Sequence, residues 1–75
     1  MSHSRISADP AILGGKPCVR GTRITVELLL RKLGAGRSFA EIRQAYPQLT
    51  EDDIRAALAF AVIEPARMRF RPLTP

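Results

Sequence analysis

The sequence has few of the residues that cross-link a small protein or hold a metal ion in it. Among its 75 residues are one cysteine, Cys18, one histidine, His3, and no tryptophan. A single thiol excludes an internal disulfide and a cysteine-built metal site, and it fits a reducing cytoplasm. This length provides one domain at most, near the margin of independent stability. We therefore expect a homodimer, in which a second subunit completes the small core.

Long apolar runs are missing as well. No stretch approaches the roughly 18 consecutive apolar residues of a membrane span. The N-terminal segment, residues 1–5, has no apolar stretch behind it that would form a signal peptide. We expect a cytoplasmic protein that makes no membrane contact.

The usual constellations of an active site are also lacking. His3 has no positioned partner, and a lone cysteine such as Cys18 usually acts as a small buried hydrophobe. The consecutive acids Glu51, Asp52 and Asp53 would point about 100° apart on a helix, so they cannot converge on one metal. Helix capping explains these acids better. We expect no enzymatic activity, no cofactor and no metal.

Positive charge, in contrast, is in excess. The chain carries 12 Lys and Arg against 7 Asp and Glu, a formal net charge of +5, and nearly all the cations are arginine. Arginine favours planar, bidentate contact with phosphates and carboxylates. The excess indicates an anionic partner, which could be DNA, RNA or an acidic protein surface. Solubility alone is the competing explanation.

Two short strands are predicted in the first third of the chain. Residues 5–7 and 18–20 have strand-like composition, and Gly14-Gly15 between them suits a reversal of the chain. We expect a small hairpin here rather than a full β domain.

The remainder predicts three helices that begin at the caps Thr25, Ser38 and Thr50. The first ends at the glycines of residues 34–36, the second spans 39–45, and the third ends at Glu64-Pro65. The third helix has a predicted buried stripe at positions 54, 57, 58, 61 and 62. Phe60 and Ile63 lie partly off this stripe, which would suit a dimer contact.

The predicted fold is therefore mainly α. A short N-terminal β hairpin precedes a three-helix bundle of helix-turn-helix-like, homeodomain-like arrangement, because a short turn joins the last two helices. This domain covers residues 1–65. Residues 66–75 form an extended basic C-terminal tail.

Several motifs together resemble one known family. They are Ile6…Asp9-Pro10, Gly14-Gly15-Lys16-Pro17, Arg20-Gly21-Thr22-Arg23-Ile24, Tyr46-Pro47-Gln48-Leu49-Thr50 and Asp53-Ile54. The combination, which runs from about Ile6 to Ala61, resembles the small bacterial proteins of domain-of-unknown-function family 433. Members of that family are similar to VapB-type antitoxins. The resemblance thus implies a partner, a PIN-like ribonuclease toxin whose active site clusters carboxylates around metal.

The tail lies past this match and suggests how such a toxin could be bound. Alternating cations and apolar residues can dock on a partner and fold there, and an arginine among the toxin's carboxylates would block the site. The alternative is a frayed terminus. The candidate toxin contacts are Arg67, Met68, Arg69, Phe70, Arg71 and Leu73.

DNA binding is the second possibility, although the start of the third helix is acidic where a recognition helix would meet phosphates. The candidate DNA contacts are Arg5, Lys16, Arg20, Arg23 and Arg55. Alternatively, Lys16 and Arg23 are solvated or pair with the acids of the third helix.

The sequence thus predicts the antitoxin of a type II toxin–antitoxin pair. The antitoxin would bind and inhibit a PIN-like ribonuclease, and whether it also binds operator DNA stays open. The alternative function is a stand-alone DNA-binding transcriptional regulator.

Overall fold

The computed structural model describes residues 4–67, which form a two-stranded sheet and three helices. The strands are β1 (Ile6–Ser7) and β2 (Cys18–Val19), and the helices are α1 (Val26–Gly34), α2 (Phe39–Ala45) and α3 (Glu51–Ile63). Short 3-10 turns cover Leu13–Gly15 and Pro65–Arg67. The predicted fold class, mainly α with a short N-terminal hairpin, is confirmed. No helix within residues 4–67 is long and apolar enough to cross a membrane.

The two strands pair antiparallel, with Ile6 opposite Val19. Residues 8–17 connect them as a loop whose centre, Leu13, Gly14 and Gly15, has φ of 52°, 68° and 87°. Three successive residues in the left-handed region need glycine at most of their positions. The glycine pair therefore turns the chain within a longer loop.

Each helix begins at its predicted cap. The Thr25 hydroxyl accepts a hydrogen bond from a backbone N–H in the first turn of α1. Ser38 and Glu41 form a reciprocal capping box, and Thr50 and Asp53 form another, with donor–acceptor distances of 2.8–3.1 Å. These side chains satisfy N–H groups that have no partner inside a helix. Local sequence alone therefore fixes where the helices start.

The end of α1 is a Schellman motif. Gly36 has a φ of 90°, the backbone N–H of Arg37 donates to the Lys32 carbonyl, and the N–H of Gly36 donates to the Leu33 carbonyl, both at 3.0 Å. This is the usual 6→1 and 5→2 pattern around a left-handed glycine. It fixes the direction in which the chain leaves α1 and enters α2.

The core lies where the three helices and the hairpin meet. Helix α1 contacts both α2 and α3, and α3 also contacts β1. The most deeply buried large side chains are Val26, Leu29, Ile42, Leu49 and Ile54, each at most 2% exposed.

The predicted face of α3 requires a correction near its C-terminal end. Phe60 is 3% exposed and belongs to the core, whereas Val62 is 80% exposed and Ile63 is 46% exposed. The sequence pattern predicts Phe60 partly off the buried stripe and Val62 on it, and this prediction is wrong. Residues 56–63 are all apolar, so periodicity could not select the buried side. Of the two predicted dimer contacts, only Ile63 lies on the surface of the chain.

Candidate functional site

The glycine-rich segment shapes a surface depression of about 320 Å³ beside the hairpin. Two of the predicted anion-binding cations, Lys16 and Arg23, share it. Its lining is completed by residues of β1, the β1–β2 loop, β2 and the turn after β2: Ser7, Asp9, Ile12, Cys18, Gly21 and Thr22.

A compact turn holds Arg23 at this depression. Gly21 has a φ of 79°, and the Thr22 hydroxyl donates to the Val19 carbonyl at 2.8 Å while it accepts from the Ile24 N–H at 3.0 Å. Both the positive φ and the side-chain hydrogen bonds are typical of a turn that reverses a strand. Arg23 is exposed and makes no ion pair with any residue of 4–67.

Cys18 forms part of the floor as a structural thiol. It is 3% exposed, and its Sγ donates to the Lys16 carbonyl at 3.3 Å. Burial raises the pKa of the thiol, and the nearby charges of Arg23 and Lys16 offset that rise only in part. A buried, protonated thiol is a weak nucleophile, which confirms the expectation of a small buried hydrophobe.

Lys16 is neutralised by α1. Its Nζ lies 3.6 Å from Oε1 of Glu27, and Oε2 of the same carboxylate accepts from Arg31 at 2.9 Å. The alternative expectation is that Lys16 and Arg23 are solvated or pair with acids of the third helix. Lys16 is half exposed and pairs with an acid of α1 instead, and Arg23 is exposed. The site brings Lys16 and Arg23 together. Lys16 already contacts an acid, whereas Arg23 makes no ion pair within residues 4–67, so Arg23 is the more available of the two to an external anion.

Arg5 and Arg55 instead neutralise the acidic start of α3. Arg5 Nη1 lies 3.1 Å from Oδ1 of Asp53 and Nη2 lies 3.7 Å from Oδ2 of Asp52, while Arg55 pairs with Glu51 one turn away. Burial by itself raises the pKa of Asp53, but hydrogen bonds from the N-cap and from Arg5 outweigh it and lower the pKa overall. These two arginines are engaged within the chain.

Arg20 has a structural contact as well. Its Nε donates to the Ser4 carbonyl and its backbone N–H donates to the Arg5 carbonyl at 2.7 Å. Arg20 therefore ties the segment before β1 to the turn after β2. The five predicted DNA contacts consequently do not form one continuous patch of unpaired charge.

The sequence interpretation missed two cations beside a second depression, of about 530 Å³, between the end of α1 and α2. Lys32 and Arg37 both line it. The glycines at positions 34 and 36 were the available signal, because they predict a fixed turn between α1 and α2.

Of the candidate toxin contacts, Arg67 ends the last 3-10 turn. Met68, Arg69, Phe70, Arg71 and Leu73 lie outside the described residues.

The described residues provide no obvious metal centre. No group of three or more His, Cys, Asp or Glu side chains within residues 4–67 is arranged to hold a metal ion.

A β hairpin followed by three capped helices, with cations distributed around a glycine-rich loop, defines a small α-helical domain with shallow surface depressions of mixed polarity. Residues 6–61 match the model of the family described as "protein of unknown function (DUF433)". The chain belongs to this family. The predicted resemblance to family 433 is thereby confirmed.

Two relatives illustrate how far the likeness extends. An uncharacterised protein of Sinorhizobium fredii, y4eO, is 39% identical over 66 residues, which are 88% of this chain and 30% of that protein. The crystal structure of a DUF433 member from Anabaena variabilis matches with a TM-score of 0.80 at 31% identity, over 85% of this chain and 63% of the other. The chain thus spans less than two thirds of the length of each relative.

Proposed function

We propose that this protein is the antitoxin of a type II toxin–antitoxin pair, and that it binds and inhibits a PIN-like ribonuclease in the cytoplasm. The family resemblance supplies the partner class, and the net charge of +5 suits an acidic target. Inhibition requires contact only, since an inhibitor acts by occupying the acidic site of the enzyme.

The observation that carries this proposal is the apolar surface at the end of α3. Val62 is 80% exposed, and the basic sequence of residues 67–71 follows within a few positions. An exposed aliphatic side chain that is followed closely in sequence by arginines suits a protein interface, which combines an apolar centre with a polar rim. An acidic ribonuclease surface with an apolar rim would be complementary to this arrangement.

Co-expression with the product of the neighbouring gene tests the proposal. We expect a ribonuclease that co-purifies with this protein and whose RNA cleavage stops in the complex. Truncation after Pro65 and the substitution Val62→Asp should each weaken the complex. Leu13→Asp is the matched control, since Leu13 is 45% exposed but lies in the β1–β2 loop. A neighbouring product that is neither toxic nor bound would contradict the proposal.

The homodimer belongs to the same proposal. Ile63 is the surface-exposed member of the predicted dimer contacts, and a domain this small gains stability from a second subunit. Sedimentation of the free protein should show a dimer that Ile63→Asp dissociates. A monomer at all concentrations would exclude it.

A second candidate function is a DNA-binding transcriptional regulator, which the unpaired surface cations favour. Arg23 is exposed and makes no ion pair within residues 4–67. Phosphate neutralisation gives binding that weakens steeply with salt. Truncation after Pro65 should leave such binding intact while it weakens the toxin complex, so the two functions are separable.

A further inference from the structure

The acids of α1 and α3 neutralise the cations closest to them. Glu27 pairs with both Lys16 and Arg31, and the acids at the start of α3 pair with Arg5 and Arg55. These pairs are exposed and therefore weak, but an external anion would compete at each of them with an acid already in contact. Cations without an acid in contact are better placed to bind a partner.

Lys32 and Arg37 are two such residues, and they lie together. Neither makes an ion pair within residues 4–67, and both line the depression of about 530 Å³ between α1 and α2. The Schellman hydrogen bond from the Arg37 N–H to the Lys32 carbonyl, at 3.0 Å, joins their backbones directly. The two charges thus extend from backbone positions that this hydrogen bond holds close together.

The other wall of this groove is α2. It adds the amide of Gln44 and the side chain of Tyr46, with Ile42 beneath them. Ile42 is only 2% exposed, but Ala45 and Tyr46 also line the groove, so its lining is about equally polar and apolar. The polar half combines two cations with the hydrogen-bonding groups of Gln44 and Tyr46, and cations and hydrogen-bond donors are what a phosphate backbone contacts.

We propose that the α1–α2 groove is the surface that binds the phosphodiester backbone of duplex DNA, with Lys32 and Arg37 contacting phosphates. This inference rests on the second function proposed above and adds Lys32 and Arg37 to Arg23, which remains a candidate DNA contact. It leaves the end of α3 to the protein partner. One chain then carries an apolar interface for the toxin and a separate polar interface for nucleic acid.

Glu41 is the one acid that lines the groove. Its Oε1 accepts from the Ser38 N–H at 2.8 Å in the capping box of α2, and this hydrogen bond, together with the nearby charge of Arg37, lowers its pKa. It is therefore ionised at neutral pH and opposes the two cations. Glutamine also serves in a capping box, so Glu41→Gln removes the charge and keeps the cap.

The experiment measures the affinity for a short duplex DNA of random sequence as salt rises from about 50 to 200 mM. The double variant Lys32→Gln, Arg37→Gln should lower the slope of log K against log salt by about 2, because each substitution leaves one phosphate without its cation. The matched control is Arg31→Gln, Arg55→Gln, which removes the same charge from two exposed, ion-paired positions and should leave the slope within about half a unit. Glu41→Gln should tighten binding, which gives a second readout independent of any loss of folding.

Three results would overturn the inference. An unchanged slope in the Lys32, Arg37 variant would remove the groove from DNA binding but leave the regulator function standing. No DNA affinity at any salt concentration would remove both. Displacement of the DNA by poly-glutamate at equal total charge would assign the groove to acidic polypeptides. In every case, a double variant that still binds the toxin shows that the antitoxin function does not depend on the α1–α2 groove.

Discussion

The guanidinium of Arg5 donates to Oδ1 of Asp53 at 3.1 Å, across 48 positions of the sequence. Asp53 also closes the capping box of α3 by accepting from the Thr50 N–H at 2.9 Å. One carboxylate therefore serves both the start of the third helix and the segment that leads into β1. The N-terminal hairpin is attached to the helical bundle through this pair as well as through the apolar core.

Removal of this arginine should destabilise the protein slightly. Arg5→Gln should lower the free energy of unfolding by about 0.2–1 kcal/mol, because the arginine side chain is 48% exposed and exposed pairs are weak. The loss should shrink at high salt. Urea unfolding at low and high salt checks this. Arg43→Gln is the control, since Arg43 makes no ion pair within residues 4–67.

Acid should weaken the fold through Asp53. Its pKa is lowered in the folded protein, so its contribution is fully present above its unfolded pKa, about 3.9. That contribution is lost as pH falls through the lower folded value. Unfolding measured between neutral pH and about pH 2 should lose less stability in Asp53→Asn than in the wild type. Asp52→Asn, at a side chain 74% exposed, should retain the wild-type pH dependence, and equal curves for all three proteins would contradict the assignment.

Replacement by alanine should have opposite effects on the stability of the protein at two nearby glycines. Gly34 is the last residue of α1, and a Cβ there would meet nothing within 4 Å, so Gly34→Ala should stabilise by up to about 1 kcal/mol. Gly36 has a φ of 90°, so Gly36→Ala should destabilise by about 1–2 kcal/mol. Thermal unfolding of both variants gives the comparison. A gain in both would show that the turn after α1 is not left-handed in solution.

The buried and exposed sides of α3 should differ sharply in the stability lost when a side chain is replaced by alanine. Phe60→Ala should cost about 3–5 kcal/mol, because Phe60 is 3% exposed in the core. Val62→Ala should change the free energy of unfolding by no more than about 0.5 kcal/mol. Denaturant unfolding of the two variants measures the difference. Similar losses for both would mean that the face of α3 assigned to a partner is already covered in the free protein.

The helix starts could be predicted because their determinants are local. Ser38 and Glu41 are three residues apart, and so are Thr50 and Asp53, so each capping box can be found within a few letters of sequence. The glycines after α1 carry the same kind of information. The boundaries of the helices followed from these signals.

The surface of the protein depends on contacts between distant residues and could not be predicted in the same way. Nothing in the sequence shows that Arg5 forms an ion pair with Asp53, or that Lys16 forms one with Glu27. The burial of Phe60 was equally hidden, because its neighbours on α3 are apolar on every side. Charge counted along the chain therefore overstates the number of cations that are available to a partner.

Glu27 balances two cations at once, because one of its oxygens lies near Lys16 and the other accepts from Arg31. Loss of that carboxylate in Glu27→Gln would leave Lys16 in the β1–β2 loop and Arg31 in the last turn of α1 without this acidic partner. A single acidic side chain on α1 thus halves the formal positive charge of the patch that it shares with Lys16 and Arg31.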